Sequence, residues 1–314
     1  MTRFDFLGKA KIFGTLSVVL VVASVLAMVT IGLRPGIDFT GGLQLTMWYP
    51  DGAVLSEGAL RAYIAPLLAD VSPTPRVYVQ SVTTERDLPA QGRATIVGKI
   101  VTVQGATDEQ EDRLRDALAQ PQAEGIPQPT EFSVTDIGAQ VSREIVDRAW
   151  QAILAALGAM VVYIAWRFRL RYGVAAVVAV VHDVVITLGV FTLAGLEINL
   201  PVIAALLTVI GYSLNDTIVV FDRVRENLRG AKKAPVWDKI NQAVNQTLSR
   251  TLLTATTTLI PVVILLVFGG VPLREFAVAL LVGVIAGTYS TLFVANPVLY
   301  WWTTAAERAR ARRR

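Results

Sequence analysis

Two carboxylates lie inside apolar runs long enough to cross a bilayer. Asp183 comes twelve residues after Arg171, roughly 18 Å into the hydrocarbon at about 1.5 Å per helical residue. Asp216 comes seven residues before Arg223, roughly 10 Å from the near end of its run. A carboxylate at mid-span costs roughly 2.5–3.5 kcal/mol on the insertion scale, so it is rarely idle and marks an ion or proton pathway. Asp216 has polar company. On an ideal helix Thr208, Tyr212, Asn215, Asp216, Asp222 and Arg223 fall within an arc of about 120°, a stripe that should face protein or water, not lipid. The following run offers a matching face in Arg250, Thr254, Thr257 and Thr258, with Pro261 available to loosen the backbone. A carboxylate beside an arginine stays charged, whereas one buried without a partner favours its neutral form. Alternation between those states is the chemistry of a protonatable switch.

Each of these residues also has a structural reading. Asp183 could make a neutral hydrogen bond to a neighbouring helix, and Asp216 could form a static pair with Arg250. Arg250, at a span boundary, could snorkel to the interface. His182 reads as a packing or hydrogen-bonding partner before it reads as a proton relay. The threonines at 254–258 read as interhelical glue, and the GxxxG pattern Gly283–Gly287 as a close-packing device.

Other chemistries fall away. The 314 residues include no cysteine and one histidine, which removes disulfides, thiol nucleophiles and multi-His metal sites. The segment from Gly92 to Ile100 has five residues between its glycines and no Ser or Thr after Lys99, so it is not a phosphate-binding loop. Asn215-Asp216-Thr217 and Asn245-Gln246-Thr247 match glycosylation sequons, but one falls in a span and the other in an inner segment. No cofactor is expected, protons being the coupling ion, and no enzyme activity.

The elements that position these residues follow from composition. The chain is 53% hydrophobic and 17% charged, well below the roughly 25% charged of soluble domains. Six runs qualify as spans, at 12–33, 149–166, 172–193, 198–221, 251–268 and 276–302. The first is too long for a signal-peptide core and reads as retained. With the N-terminus inside, the inner segments hold 18 of the 29 Lys and Arg, whereas the two short outer loops carry only Arg274. The net charge of +4 is therefore a topology signal, not a nucleic-acid one, and both ends are placed in the cytoplasm. The basic tail (303–314) reads as a stop after the last span that could touch anionic lipid.

Residues 1–33 thus form a cytoplasmic start and the first span, 34–148 an extracytoplasmic domain, and 149–302 a five-span bundle. An amphipathic inner helix is expected over 231–247. Within the insert, strands are expected at 43–49, 76–82, 94–103 and 131–136, with a turn at Pro89-Ala90-Gln91-Gly92. Helices follow Ser56 and Thr107, both good N-caps. The order β-α-β-β-α-β is that of a ferredoxin-like α+β domain. Residues 140–148 are expected to continue as helix into the second span.

The sequence Gly36-Ile37-Asp38-Phe39-Thr40-Gly41-Gly42 follows the first span, and His182-Asp183 lies in the third. The fourth carries Gly211-Tyr212-Ser213-Leu214-Asn215-Asp216-Thr217 and Phe221-Asp222-Arg223-Val224-Arg225-Glu226-Asn227, and Ser249-Arg250-Thr251 opens the fifth. Together they resemble the SecF family of bacterial inner-membrane proteins, in the resistance-nodulation-division superfamily, over essentially the whole chain. The outer insert matches least. The resemblance implies pairing with SecD into a twelve-span unit, association with the SecYEG channel and YajC, and use of the proton-motive force to draw translocating polypeptides outward. It implies proton-pathway roles for Asp183, Asp216 and Arg250, with Asn215 beside them. A small-molecule or lipid exporter of the same superfamily, or a passive assembly subunit, are the competing expectations.

Overall fold

The computed structural model describes residues 4–49, 55–69, 75–88, 92–121, 125–167, 170–230 and 234–311. The expected turn at 89–91, Lys232-Lys233 and the last three arginines lie outside the described residues. The chain divides into two units, residues 1–34 with 151–314, and residues 35–150.

Among the described residues, six helical segments are long and apolar enough to cross a membrane. They are α1 (Ala10–Thr30), α5 (Ala139–Arg167), α6 (Leu170–Ala194), α7 (Leu200–Gly230), α8 (Val236–Phe268), and α9 (Val271–Ser290) continued through a π turn (Thr291–Ala295) into α10 (Asn296–Ala311). The centre of this unit is α6, α7 and α9, whose apolar windows are half buried within the chain, whereas those of α1 and α8 are mostly exposed. Ala175, Ala179, Ile210, Leu214, Phe221, Leu292 and Leu299 form the core.

Small residues set the spacing. A Cβ on Gly283 would lie 2.3 Å from Val209 Cγ2, and one on Gly287 would lie 3.0 Å from Ser213 Cβ, so the GxxxG pattern is the seam between α9 and α7. Gly189 of α6 meets Ser24 of α1 in the same way, where a Cβ would fall 2.2 Å from Ser24 Oγ.

One expectation is corrected here. The inner amphipathic segment expected over 231–247 is not a separate helix, because α8 runs unbroken from Val236 through Phe268. Its polar half is held by the chain itself. Asn241 and Asn245, one turn apart, accept from the backbone N–H of Phe6 and Phe4, each at 2.9 Å. The Phe6 ring then packs beside Phe293 at 5.6 Å. The sixth span, expected over 276–302, is present; it is longer at both ends and carries the π turn between α9 and α10.

The second unit carries a four-stranded antiparallel sheet of β1 (Gly42–Tyr49), β2 (Arg76–Leu88), β3 (Gly92–Gln104) and β4 (Glu131–Ile137). The strand order across the sheet is β2-β3-β1-β4. Leu43 pairs with Val103 and Leu45 with Val101. Alternate residues Leu43, Leu45, Met47 and Tyr49 are buried, the period of a sheet with one covered face. The cover is α3 (Glu57–Leu67) and α4 (Asp108–Ala119), through Leu60, Ile64, Leu114 and Leu118. Ser56 caps α3 by accepting from Ala59 N–H at 3.1 Å, and Thr107 with Gln110 closes a capping box on α4. Burial pushes the Tyr49 phenol up to about 12.

The β2–β3 hairpin is longer than its hydrophobic alternation suggests, pairing from Arg76↔Gln104 to Leu88↔Gly92. Since β1 ends opposite Val97, the rest is a two-stranded ribbon.

The glycine motif after the first span has a backbone cause. Residues Ile37–Thr40 make one helical turn, α2, and Gly41 and Gly42 leave it at φ +71° and +125°. A Cβ on Gly42 would lie 2.1 Å from the Val103 carbonyl oxygen, so only glycine lets β1 start beside β3. Asp38 and Phe39 are half-buried in that turn. Ser142 Oγ donates to the Ile37 carbonyl at 3.2 Å and Gln104 Nε2 to that of Pro35 at 3.0 Å.

Candidate functional site

Asp183 is 1% exposed and has both oxygens engaged. Ser213 Oγ of α7 and Ser290 Oγ of α9 donate to Oδ2 at 2.7 and 2.8 Å. Oδ1 lies 2.9 Å from His182 Nδ1. Three helices therefore converge on one carboxylate, as a polar group held in an apolar bundle requires. Gly287 lies beside the site, where a Cβ would meet Ser213 Cβ closely at 3.0 Å and Asp183 Oδ2 only in ordinary contact at 3.5 Å.

His182 is buried as well, and its Nε2 has no hydrogen-bond partner. Its ring stacks on Tyr289 at 5.9 Å between centroids. The Tyr289 hydroxyl donates to the Phe13 carbonyl at 2.6 Å and accepts from Ser17 Oγ at 3.0 Å, which ties α1 to the cluster. A proton can sit on either side of the 2.9 Å contact between imidazole and carboxylate.

Asp216 is built differently. Thr251 Oγ1 of α8 donates to Oδ1 at 2.8 Å. Oδ2 is buried and unpartnered, and the residue is 7% exposed. An incoming proton can take Oδ2 without breaking any bond. The two sites are near neighbours on α7. Ser213, which holds Asp183, precedes Asp216 by three residues, a rise of about 4.5 Å. Thr217, next to Asp216, shares a hydrogen bond of 2.9 Å with Thr291, and Thr291 follows Ser290.

The other residues singled out in the sequence are placed differently. Arg250 is exposed on α8; its charge acts on Asp216, but among the described residues the side-chain bond that holds Asp216 comes from Thr251 and not from an Arg250 ion pair. Asn215 and Thr208 are exposed on α7. The Tyr212 hydroxyl is buried without a partner. Thr254, Thr257 and Thr258 donate to carbonyls of their own helix, so among the described residues they join no helices. Asp222 is exposed, while Arg223 binds Gln246 Oε1 at 2.7 Å and pairs with Glu226 at 2.5 Å.

Sequence reasoning quoted Ser213, Thr217 and Thr251 within motifs without giving them a role, and passed over Ser290, Thr291, Tyr289 and Asn296. The polar run Thr288-Tyr289-Ser290-Thr291 inside the sixth span was the available signal.

Comparison with known proteins places these features in one family. The family described as protein export membrane protein SecD/SecF, C-terminal, matches residues 120–305, and the SecD/SecF GG motif matches residues 26–47. The protein translocase subunit SecF of Desulfurispirillum indicum is 43% identical over 290 residues, 91% of this chain and 87% of that protein. That of Rhodothermus marinus is 39% identical over 319 residues, covering 99% and 96%. A crystal structure of SecDF, a translocon-associated membrane protein from Thermus thermophilus, matches with a TM-score of 0.78 at 33% identity. It aligns with 96% of this chain, which spans only 39% of the SecDF chain.

Proposed function

Because the chain belongs to the SecD/SecF family of protein-export membrane proteins, we propose that it is a SecF-type subunit that uses the proton-motive force, with a SecD partner, to assist late translocation of secreted polypeptides. The family's named members are transport subunits, not enzymes, and this is a multi-pass protein of the bacterial inner membrane. Partnership with SecD is supported by the Thermus thermophilus relative, which carries both names in one chain. Association with SecYEG and YajC, cytoplasmic termini and an extracytoplasmic insert complete the proposal. The insert is read as ferredoxin-like on its β-α-β-β-α-β order.

One observation carries the coupling: a buried carboxylate with an open oxygen, Asp216 Oδ2, set beside a second buried carboxylate that is fully bonded. Protonation at Asp216 weakens its hold on Thr251 and so the α7–α8 contact. Arg250, exposed on α8, is free to answer a charge on the partner or on Asp216 when α8 shifts. The Asn215 face of α7 and the Thr254 face of α8 are the surfaces a SecD bundle would cover. One charge crossing 100 mV supplies about 2.3 kcal/mol, a bias of nearly fiftyfold on a two-state element. Displacement of α5, one unbroken helix from Ala139 to Arg167, would carry the motion outward.

The test is late-stage translocation in vesicles holding the full chain with SecD. Asp216→Asn and Asp183→Asn are each expected to abolish the proton-force-dependent part while leaving assembly intact. Full proton-force dependence in both variants would reduce the subunit to a passive stabiliser.

A further inference from the structure

We infer that Asn296 is a positioning residue for the paired carboxylate sites, acting through the π turn that precedes it; the inference rests on the proton-coupling reading above. An α-helix bonds each carbonyl to the N–H four residues on, and a π turn bonds it five on, a widening frequent at functional sites. The wide turn Thr291–Ala295 begins where α9 meets both carboxylate environments. Ser290 Oγ reaches Asp183 on α6, and Thr291 Oγ1 reaches Thr217 on α7, beside Asp216. Consecutive residues on a helix point about 100° apart, so one segment packed between α6 and α7 touches both sites only if its register holds.

Asn296 holds that register. Its Nδ2 donates to the Thr291 carbonyl at 2.6 Å, the residue is 0% exposed, and its Oδ1 has no partner. A buried amide with one half unsatisfied is a poor core residue, and a leucine would fill the space without the orphan. The amide's one bond goes to the first residue of the wide turn. Without it the turn can exchange for an ordinary α turn, which re-aims Ser290 and Thr291 and uncouples Asp183 from the surroundings of Asp216. The wide turn is thereby a two-state element that both carboxylates can bias.

The experiment uses the full chain assembled with SecD in vesicles and reads proton-force-dependent translocation against pH. Asn296→Leu removes the donor and should lower that component roughly two- to tenfold, the population shift of one hydrogen bond. Asn296→Asp keeps the shape and, as the neutral acid, an O–H donor to Thr291. It should stay close to wild type at the acidic end, with its ratio to wild type falling and never rising as pH increases. A purely structural asparagine would show no such rescue.

Three results overturn the inference: wild-type rates in Asn296→Leu, an Asn296→Asp variant no better than Asn296→Leu at the acidic end, or a ratio that rises with pH. Asp183→Asn and Asp216→Asn in the same vesicles separate the two claims. If both keep their proton-force dependence, the coupling reading falls. If they lose it while Asn296→Leu does not, only the role of Asn296 falls.

Discussion

Asp183 and Asp216 sit one helical turn apart in their α7 contacts, yet the chain treats them in opposite ways. Asp183 is closed: two serines and a histidine occupy both oxygens, and the donors come from α6, α7 and α9. Asp216 is half open, with one threonine from α8 and one buried oxygen unclaimed. A closed carboxylate changes protonation only by rearranging its donors, so it holds helices in register. An open one accepts a proton at no cost in bonds. On the proposed coupling, Asp216 is where a proton arrives and Asp183 is the joint that must respond. The difference teaches that depth in the membrane, which singles out Asp183 in the sequence, measures importance but not role.

The contrast breaks or sharpens first on stability. Interhelical hydrogen bonds in membranes are worth about 0.6 kcal/mol each, so Asp183→Ala, losing the two from Ser213 and Ser290, should destabilise the bundle by about 1.2 kcal/mol and Asp216→Ala by about 0.6 kcal/mol. Unfolding in mixed micelles by titration with a denaturing detergent measures both. Equal losses would erase the distinction between a joint and a port.

A smaller effect probes the space around the joint. Gly287→Ala puts a methyl 3.0 Å from Ser213 Cβ and 3.5 Å from Asp183 Oδ2, at the low end of overpacking, about 1 kcal/mol. Gly211→Ala, on the exposed face of α7 with nothing within 4 Å, should instead gain about 0.5 kcal/mol from helix propensity. The same micelle titration reads both. A destabilising Gly211→Ala would mean that this face is occupied within the chain, not left for a partner.

How much of this was legible in the sequence depends on which physical signal each feature leaves. Spans leave length and apolarity, and they were found; β1 leaves a clean alternation, and α4 a capping box at Thr107 and Gln110. The two carboxylates leave an ionic anomaly in hydrocarbon. Their partners leave almost nothing, because Ser213, Thr251 and Ser290 are ordinary residues in membrane helices and matter only through contacts far apart in the chain. The merging of the inner segment into α8 was hidden for a related reason. Its asparagines looked like a polar surface, but they bind the backbone of Phe4 and Phe6, a tertiary contact with no periodicity.

A third carboxylate, outside the membrane, supplies the control for the comparison. Glu111, in the first turns of α4, has its pKa raised from 4.5 to about 7, first by burial and then by the nearby charges of Asp136, Asp108 and Asp112, against the opposing Arg115. Here the sign can be worked through. The folded domain holds a proton that the unfolded chain has released, so stability falls as pH rises between the unfolded and folded values. Protection of the α4 amides from hydrogen exchange in the full chain, corrected for intrinsic rate, should therefore decline from about pH 5 to about pH 7. Glu111→Gln should flatten that decline, an effect smaller than any in the bundle because the side chain is only half-buried. Wild-type protection that does not change with pH would show that partial burial among acidic neighbours is too weak to store a proton in this fold. Full enclosure or an unfilled oxygen, as at Asp183 and Asp216, would then be what a protonatable carboxylate in this chain requires.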